Sequence, residues 1–428
     1  MVSTVNLYED VRYLTEEIGI RLAGSPQELA AAKYLQDRFQ QYVPKCSLEA
    51  FPVNVRDVKS ETLSVLLDGQ WVAYPATLFG GASTTGGKTL EAELVFFNAY
   101  ADYQRPDLSY LKGKAVIHYG LRFGCRENYR RLMEAGPAFL LMVDTRYTAD
   151  GPLGDGLFPT YGAEYGTVPT MNLGFYHAWD ICTKKAAKAR LQVSGQTVPG
   201  LSHNVEAELP GTLDDAPCFY FGAHMDTQSG TVGADDNAIG CAVLLEMARI
   251  LSQKPLRHTL RFLAFGAEEQ LSVGSAAYVR RHRAEIEARG QFMVNFDSCG
   301  SAVGWNQFVI HANRDLQKQI AVSFHRHDIY YQTSLEPCPF LDQFPFTAAG
   351  VPGFTVHRLN CDAGVFYHHQ PANDISVIGF DTVAKIAECT AELILKLDSA
   401  DFDGKLTTNP DIADAVQAEW EENFGGWG

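Results

Sequence analysis

The chain has 428 residues, 46% of them hydrophobic, enough to bury a large core and to form more than one domain. Its 51 acidic and 35 basic residues leave a formal charge of -16, which argues against a nucleic-acid backbone or an anionic membrane surface as the main partner. An ordinary solubilising surface accounts for the acidity equally well.

The amino-terminal stretch MVSTVNLYEDVRYLTEEIG lacks a basic start followed by an apolar core, and no later segment reaches membrane-spanning length, so a cytoplasmic location is expected. Residues 6–42 read as two amphipathic helices around a Gly-Ser-Pro break, because apolar positions return every three or four residues. From about residue 52 the period shifts toward strands, TLSVLLDGQWVAYPA, AELVFFNA and GKAVIHYG, with a helix-like CRENYRRLMEAG leading into AFLLMVDT. A Gly/Pro/Tyr-rich loop spans about 150–166, and the segment to residue 197 adds short strands and one or two helices. It holds no cluster of metal-binding or nucleophilic residues and reads as an inserted, smaller, β-rich α+β domain over 56–197.

After SHNVEAELPGT, strands and helices alternate: CFYFGAH, a helix over 237–251, TLRFLAFGA, a helix over 272–288, QFMVNFD, FVIHAN and GFTVH, closed by the long helix FDTVAKIAECTAELILKL. Near-continuous apolar strands between helices predict an α/β fold, a mixed and largely parallel sheet covered on both faces. Residues 1–55 and 198–400 would form that domain, and 401–428 an acidic tail without a clear secondary-structure signal. Nine cysteines, scattered and without a C-x-x-C pair, fit neither a disulfide framework nor a thiolate zinc knuckle.

The stretch FGAHMDTQSGTVGADDNAIG, residues 221–240, places one histidine and three aspartates beside apolar runs, with no Lys or Arg among them. Buried carboxylates without a compensating charge are costly. In open α/β sheets, ligands gather outside the carboxyl ends of strands, and every strand end here delivers an acid or a histidine: His224 and Asp226, then Asp235 and Asp236, Glu268 and Glu269, Asp297, and later His368 and His369. Each has a plain explanation alone, as a turn residue, a helix cap or a first-turn acid. One shared metal cluster explains them together, and imidazole plus carboxylate without thiolate suits zinc, with manganese or cobalt also open.

The ordered string GAHMD, GADDNAIG, FGAEE, NFDS and HHQPAND resembles the co-catalytic zinc exopeptidase family, which includes bacterial zinc aminopeptidases, glutamate carboxypeptidase and plasma carboxypeptidase relatives, glutaminyl cyclases and the non-enzymatic transferrin receptor. Through LKGKAVIHYG, LMEAGPAFLLMV and VPTMNLG the inserted segment resembles the protease-associated domain of many relatives. The family resemblance implies two divalent metal ions, His224 and Asp297 on one, Glu269 and His369 on the other, and Asp236 bridging them. It implies that Asp226 orients His224, and that Glu268 is the general base for a water between the metals that attacks a peptide bond. Three carboxylates and two imidazoles against two dications leave about +1 by simple counting.

Two departures from the family pattern stand out. The acid expected four residues after the last histidine is Asn373, with Asp374 one further on, so His368 competes with His369 as the ligand. His368 or Tyr367 could donate to a developing oxyanion, and Asp342 and Phe346 of FLDQFPFTAAGVPGF either line the pocket or pack beside a loop. The resemblance implies an exopeptidase acting on peptide or aminoacyl substrates, foremost an aminopeptidase. A carboxypeptidase or dipeptidase on the same metal core, a glutaminyl cyclase and an inactive binding protein are the alternatives. No nucleic-acid or membrane partner is expected, and a homo-oligomer stays open.

Overall fold

The computed structural model describes residues 1–427 except 121–122, 150, 155, 214–216 and 403; Asp150 and Asp155 of the loop anticipated over 150–166 thus lie outside the described residues. The chain separates into two units, one of residues 1–53, 201–421 and 425–428, the other of residues 54–200 and 422–424. No helix among the described residues is long and apolar enough to cross a membrane.

The first unit is built on a sheet in the order Tyr331–Ser334, Trp305–His311, Gly353–Leu359, Gly290–Phe296, Cys218–His224, Thr259–Phe265, ending on residues 205–209 of the strand Lys188–Leu209. Neighbours run parallel except at the pairs Trp305–His311 with Gly353–Leu359 and Thr259–Phe265 with 205–209. Cys218–His224 and Thr259–Phe265 are buried at every residue. The reason is that side chains alternate between two covered faces. Phe219, Phe221 and Ala223 join the larger core with the helices Ile239–Leu251 and Phe380–Leu397, while Cys218 and Tyr220 join Tyr278, Val279, Ile286 and Phe346 on the other side. A continuous apolar run in the sequence is therefore a strand with no solvent face, and its carboxyl end is where polar residues first become possible.

The second unit carries its own sheet, from residues 188–191 through Leu90–Asn98, Ala115–Tyr119, Phe139–Val143 and Thr170–Leu173 to Ala76–Leu78, parallel over its central pairs. The hairpin at Asp68-Gly69 turns on two residues of positive φ, 48° and 78°, a primed turn of the kind that two-residue hairpin loops favour.

Three local expectations are corrected. The single helix anticipated over 272–288 is two, Val273–Arg281 and Arg283–Arg289. His282 leaves helical geometry between them, at φ -103° and ψ 15°, and its Nε2 meets the Glu49 carboxylate at 2.8 Å. The 150–166 loop contains the helix Pro159–Tyr165, started by proline in its first turn and ended at Gly166 with φ 73°, as the N-terminal proline and C-terminal glycine asymmetry favours. The carboxyl-terminal tail forms the helix Pro410–Phe424, whose cap Asn409 accepts from the Asp411 N–H. On that helix Trp420 is fully buried, with its ring 6.5 Å from Phe344 and the Arg280 guanidinium 4.7 Å from its face.

That last contact makes the helix part of the folded unit. Trp420→Ala is expected to destabilise the protein by about 3–5 kcal/mol, read as a lower urea midpoint, whereas an undocked tail would leave the midpoint unchanged.

Candidate metal centre

The site assembles at the carboxyl ends of four parallel strands. His224 ends Cys218–His224. Glu268 and Glu269 follow Thr259–Phe265 in a short 3-10 turn. Asp297 follows Gly290–Phe296, and Asp236 sits in the loop before Ile239–Leu251. His369 comes from the loop after Gly353–Leu359. All six are buried.

Asp236 stands at the centre. Its Oδ1 lies 3.0 Å from His224 Nε2 and its Oδ2 lies 3.5 Å from His369 Nε2. On the first side, Asp297 Oδ1 is 3.5 Å from His224 Nε2. On the second, Glu269 Oε2 is 3.0 Å from His369 Nε2. Two imidazole-carboxylate pairs thus share one carboxylate, and the ligand atoms of His224, Asp236 and Glu269, like those of Asp236, His368 and His369, lie close enough together to hold a cation. Glu269 Oε1 is buried without a hydrogen-bond partner among the described residues, so a donor atom stands unused beside His369. Zinc fits this set: hard and borderline donors, no thiolate, and a spare carboxylate oxygen.

Electrostatics point the same way. Burial alone would lower the His224 imidazole, yet the Glu268 charge and hydrogen bonding to Asp226, Asp236 and Asp297 hold it well above its usual range. Burial pushes Glu268 well up, with Asp342, Asp297 and Glu269 adding to it against the opposing effect of His224. This is a pocket of negative potential that a divalent cation would neutralise.

The remaining residues divide into supports and bystanders. His224 Nδ1 faces the Asp226 backbone carbonyl at 3.2 Å, with the Asp226 carboxylate at 3.6 Å. That carboxylate accepts from the backbone N–H of Glu268 at 3.0 Å and of Glu269 at 3.1 Å. Asp226 therefore holds the turn carrying both glutamates as well as bordering the imidazole. Glu268 Oε2 lies 3.9 Å from His224 Nε2, beside the shared cluster without belonging to either pair.

Asp235 turns away from Asp236 and accepts from the Gly300 N–H at 2.6 Å and the Tyr367 hydroxyl at 3.0 Å. Tyr367 is thereby committed to Asp235 and is not available as an oxyanion donor. His368 is partly exposed and stacks on His369 with ring centroids 3.5 Å apart, its Nδ1 3.5 Å from Asp236 Oδ2. It touches the shared carboxylate, and His369 meets Glu269 Oε2 at 3.0 Å. Asp342 is fully buried, and burial raises its carboxyl to about 7 against the lowering effects of His224 and of hydrogen bonding to Ser275. Phe346 is fully buried 5.0 Å from the Tyr220 ring. It belongs to the core on the second face of the sheet.

Asn373 takes the position where the motif would put an acid. Its Oδ1 accepts from the Asp235 N–H at 2.7 Å and its backbone carbonyl from the Ala234 N–H at 3.1 Å, so it ties the last loop to the Asp236 loop. Asp374, by contrast, accepts from the Ser376 N–H and hydroxyl and takes no part in the site. The sequence reading missed Arg21 and Glu28 altogether. Arg21 is fully buried, and its guanidinium donates to the carbonyls of Met225, Val232 and Gly233. It is a positive charge brought to the acidic loop from two hundred residues away, which no local pattern could reveal.

The profile of Peptidase family M28 matches residues 204–394. An aminopeptidase of Bacillus subtilis, YwaD, is 26% identical over 69% of this chain and 62% of its own length, so the match spans less than two thirds of that relative. Among solved structures, a zinc aminopeptidase from Bacillus subtilis superposes with a TM-score of 0.77 at 18% identity, over 96% of this chain and 98% of that one. A peptidase M28 precursor from Shewanella amazonensis gives 0.78 at 20% identity, over 95% and 96%. The largely parallel α/β architecture is thus shared along nearly the whole chain.

Gly233 tests the geometry of the Asp236 loop. It adopts φ 55°, and a Cβ there would lie 2.1 Å from the Asp236 carbonyl oxygen. Gly233→Ala should move the shared carboxylate and weaken zinc binding by at least tenfold, measured by competition with a chromogenic chelator, while a wild-type affinity would mean that the loop conformation is not needed.

Proposed function

We propose, from the match of residues 204–394 to the profile of Peptidase family M28, that this chain is a metal-dependent exopeptidase carrying two divalent ions, foremost zinc, and that it is an aminopeptidase. The observation carrying this reading is the double-faced Asp236 carboxylate, 3.0 Å from one imidazole and 3.5 Å from the other. Asp236, His224 and Asp297 would hold one ion, and Asp236, Glu269 and His369 the other. The names of its relatives favour an unblocked amino terminus as the feature recognised.

Two divalent ions held this way polarise a scissile carbonyl and bring the pKa of a water toward neutrality. The chain's own residues do the rest. Glu268, 3.9 Å from His224 Nε2 and outside the two ligand sets, is the group that would accept a proton from the attacking water and pass it to the leaving amine. Asp226 fixes its position through the Glu268 and Glu269 N–H groups. His368, partly exposed and next to the shared carboxylate, is placed to donate to the developing oxyanion. We assign residues 54–200 a protease-associated character, supported by the run GKAVIHYG, of which Ala115–Tyr119 forms a central parallel strand.

Elemental analysis of the purified protein should give about two metal equivalents, and a value near zero after zinc loading would overturn the dinuclear reading. Glu268→Gln should keep both metals and lose about 10²–10⁴ in turnover. His369→Ala should lose one metal, whereas His368→Ala should keep two and mainly lower kcat; the reverse would exchange their roles. Unblocked amino-acid anilides should be cleaved and N-acylated ones should not. Cleavage of only N-acylated, free-carboxyl peptides would make the chain a carboxypeptidase.

A further inference from the structure

The two halves of the site, the Asp236 loop and the Glu268-Glu269 turn, are both held by one short amino-terminal segment, Arg21 to Glu28. Arg21 Nε donates to the Met225 carbonyl at 2.7 Å, Nη1 to Val232 at 2.8 Å, and Nη2 to Gly233 at 3.2 Å. Nη1 also reaches Leu14 and Gly19 at 3.1 and 2.9 Å. The backbone agrees: Arg21 N–H donates to the Thr227 hydroxyl at 3.0 Å and the Arg21 carbonyl accepts from the Thr227 N–H at 3.1 Å. Both ends of the stretch between His224 and Asp236 are therefore fixed by one guanidinium whose fork spans carbonyls that a lysine ammonium could not reach together.

Glu28 does the same for the other half. Its Oε1 accepts from the Ser202 hydroxyl at 2.7 Å and from the Ala267 N–H at 3.1 Å, and its Oε2 from the Gly24 N–H at 2.6 Å. Ala267 is in the left-handed region, φ 53°, a conformation that costs a non-glycine residue about 1–3 kcal/mol unless its surroundings enforce it. The peptide before Glu268 and Glu269 is thus held in a strained turn by a carboxylate that is itself only 1% exposed. Buried polar groups satisfied in this way are weak sources of stability. Their consequence here is geometric.

We infer that Arg21 and Glu28 are positioning residues for the metal centre, Arg21 setting the Asp236 loop and Glu28 the Glu268-Glu269 turn, so that the segment 21–28 fixes the separation of the two sites. This rests on the proposed metal chemistry. Groups that orient ligands in this way typically govern metal affinity by about 10–100-fold. Because Asp236 serves both pairs, loosening its loop weakens both sites. Loosening the Ala267 turn weakens only the one that uses Glu269.

The test uses Arg21→Lys and Glu28→Gln, each close in size to the wild-type residue, with Thr227→Ala and Ser202→Ala as milder disruptions of the same contacts should either fail to fold. Zinc affinity is measured by chelator competition, and amide exchange of residues 225–236 and 266–270 is followed in the metal-free proteins. Arg21→Lys should weaken both zinc sites by about 10–100-fold and speed exchange in 225–236. Glu28→Gln should weaken one site by a similar factor and speed exchange in 266–270, with a fall in kcat larger than the rise in KM. Folded variants that bind two zinc ions with wild-type affinity, even if less thermostable, would reduce both residues to structural ones and overturn the inference. If wild-type protein itself binds no zinc, the proposed metal chemistry is what has failed.

Discussion

The structure turns on the burial of a carboxylate shared between two imidazoles. Asp226, Asp235, Asp236, Glu268, Glu269, Asp297 and Asp342 are all buried within one region of the fold, and burying ionised groups demands compensation. Part of it is supplied by hydrogen bonds: two backbone N–H groups to Asp226, one N–H and one hydroxyl to Asp235. Arg21 adds a buried positive charge, but its donors are spent on backbone carbonyls. Of what is left over, Asp236, Glu269 and Asp297, which face His224 and His369, are the part that calls for cations.

The fold makes that concentration tolerable by separating tasks. Strands covered on both faces supply the core and end together, so the acidic and imidazole cluster collects at one edge of the sheet. The loops there carry several left-handed residues, Gly233, Ala267, Ser298 and His369, with φ between 47° and 55°. Each adjoins or is one of the cluster residues or their loops. Such conformations persist where surrounding contacts over-determine them, and at Gly233 and Ala267 the hydrogen bonds of Arg21 and Glu28 are among those contacts.

Much of this arrangement was legible because it is periodic or local. The alternation of apolar strands and helices after residue 200 predicts the sheet, and an acid or histidine at successive strand ends predicts where polar chemistry collects. The sequence could not say which of two adjacent candidates turns inward. Asp235 and Asp236 differ only in direction, as do Tyr367, His368 and His369, and the direction is set by partners such as Gly300 and Asn373 that are distant in sequence. Phe346 reads in the sequence as either pocket wall or packing, and in the structure it lies fully buried beside Tyr220. The terminal helix buries Ile412, Val416 and Trp420, four residues apart, a short apolar period set among acidic residues. Arg21 and Glu28 were invisible for a related reason: a Gly-Ser-Pro break between helices carries no hint of the carbonyls it will meet two hundred residues later.

Anomalous diffraction at the zinc absorption edge from zinc-loaded crystals addresses the central claim most directly. The account predicts two peaks about 3.5–4 Å apart, one beside His224 and Asp297 and one beside Glu269 and His369, with Asp236 between them. A single peak, or two peaks not separated by Asp236, would contradict it.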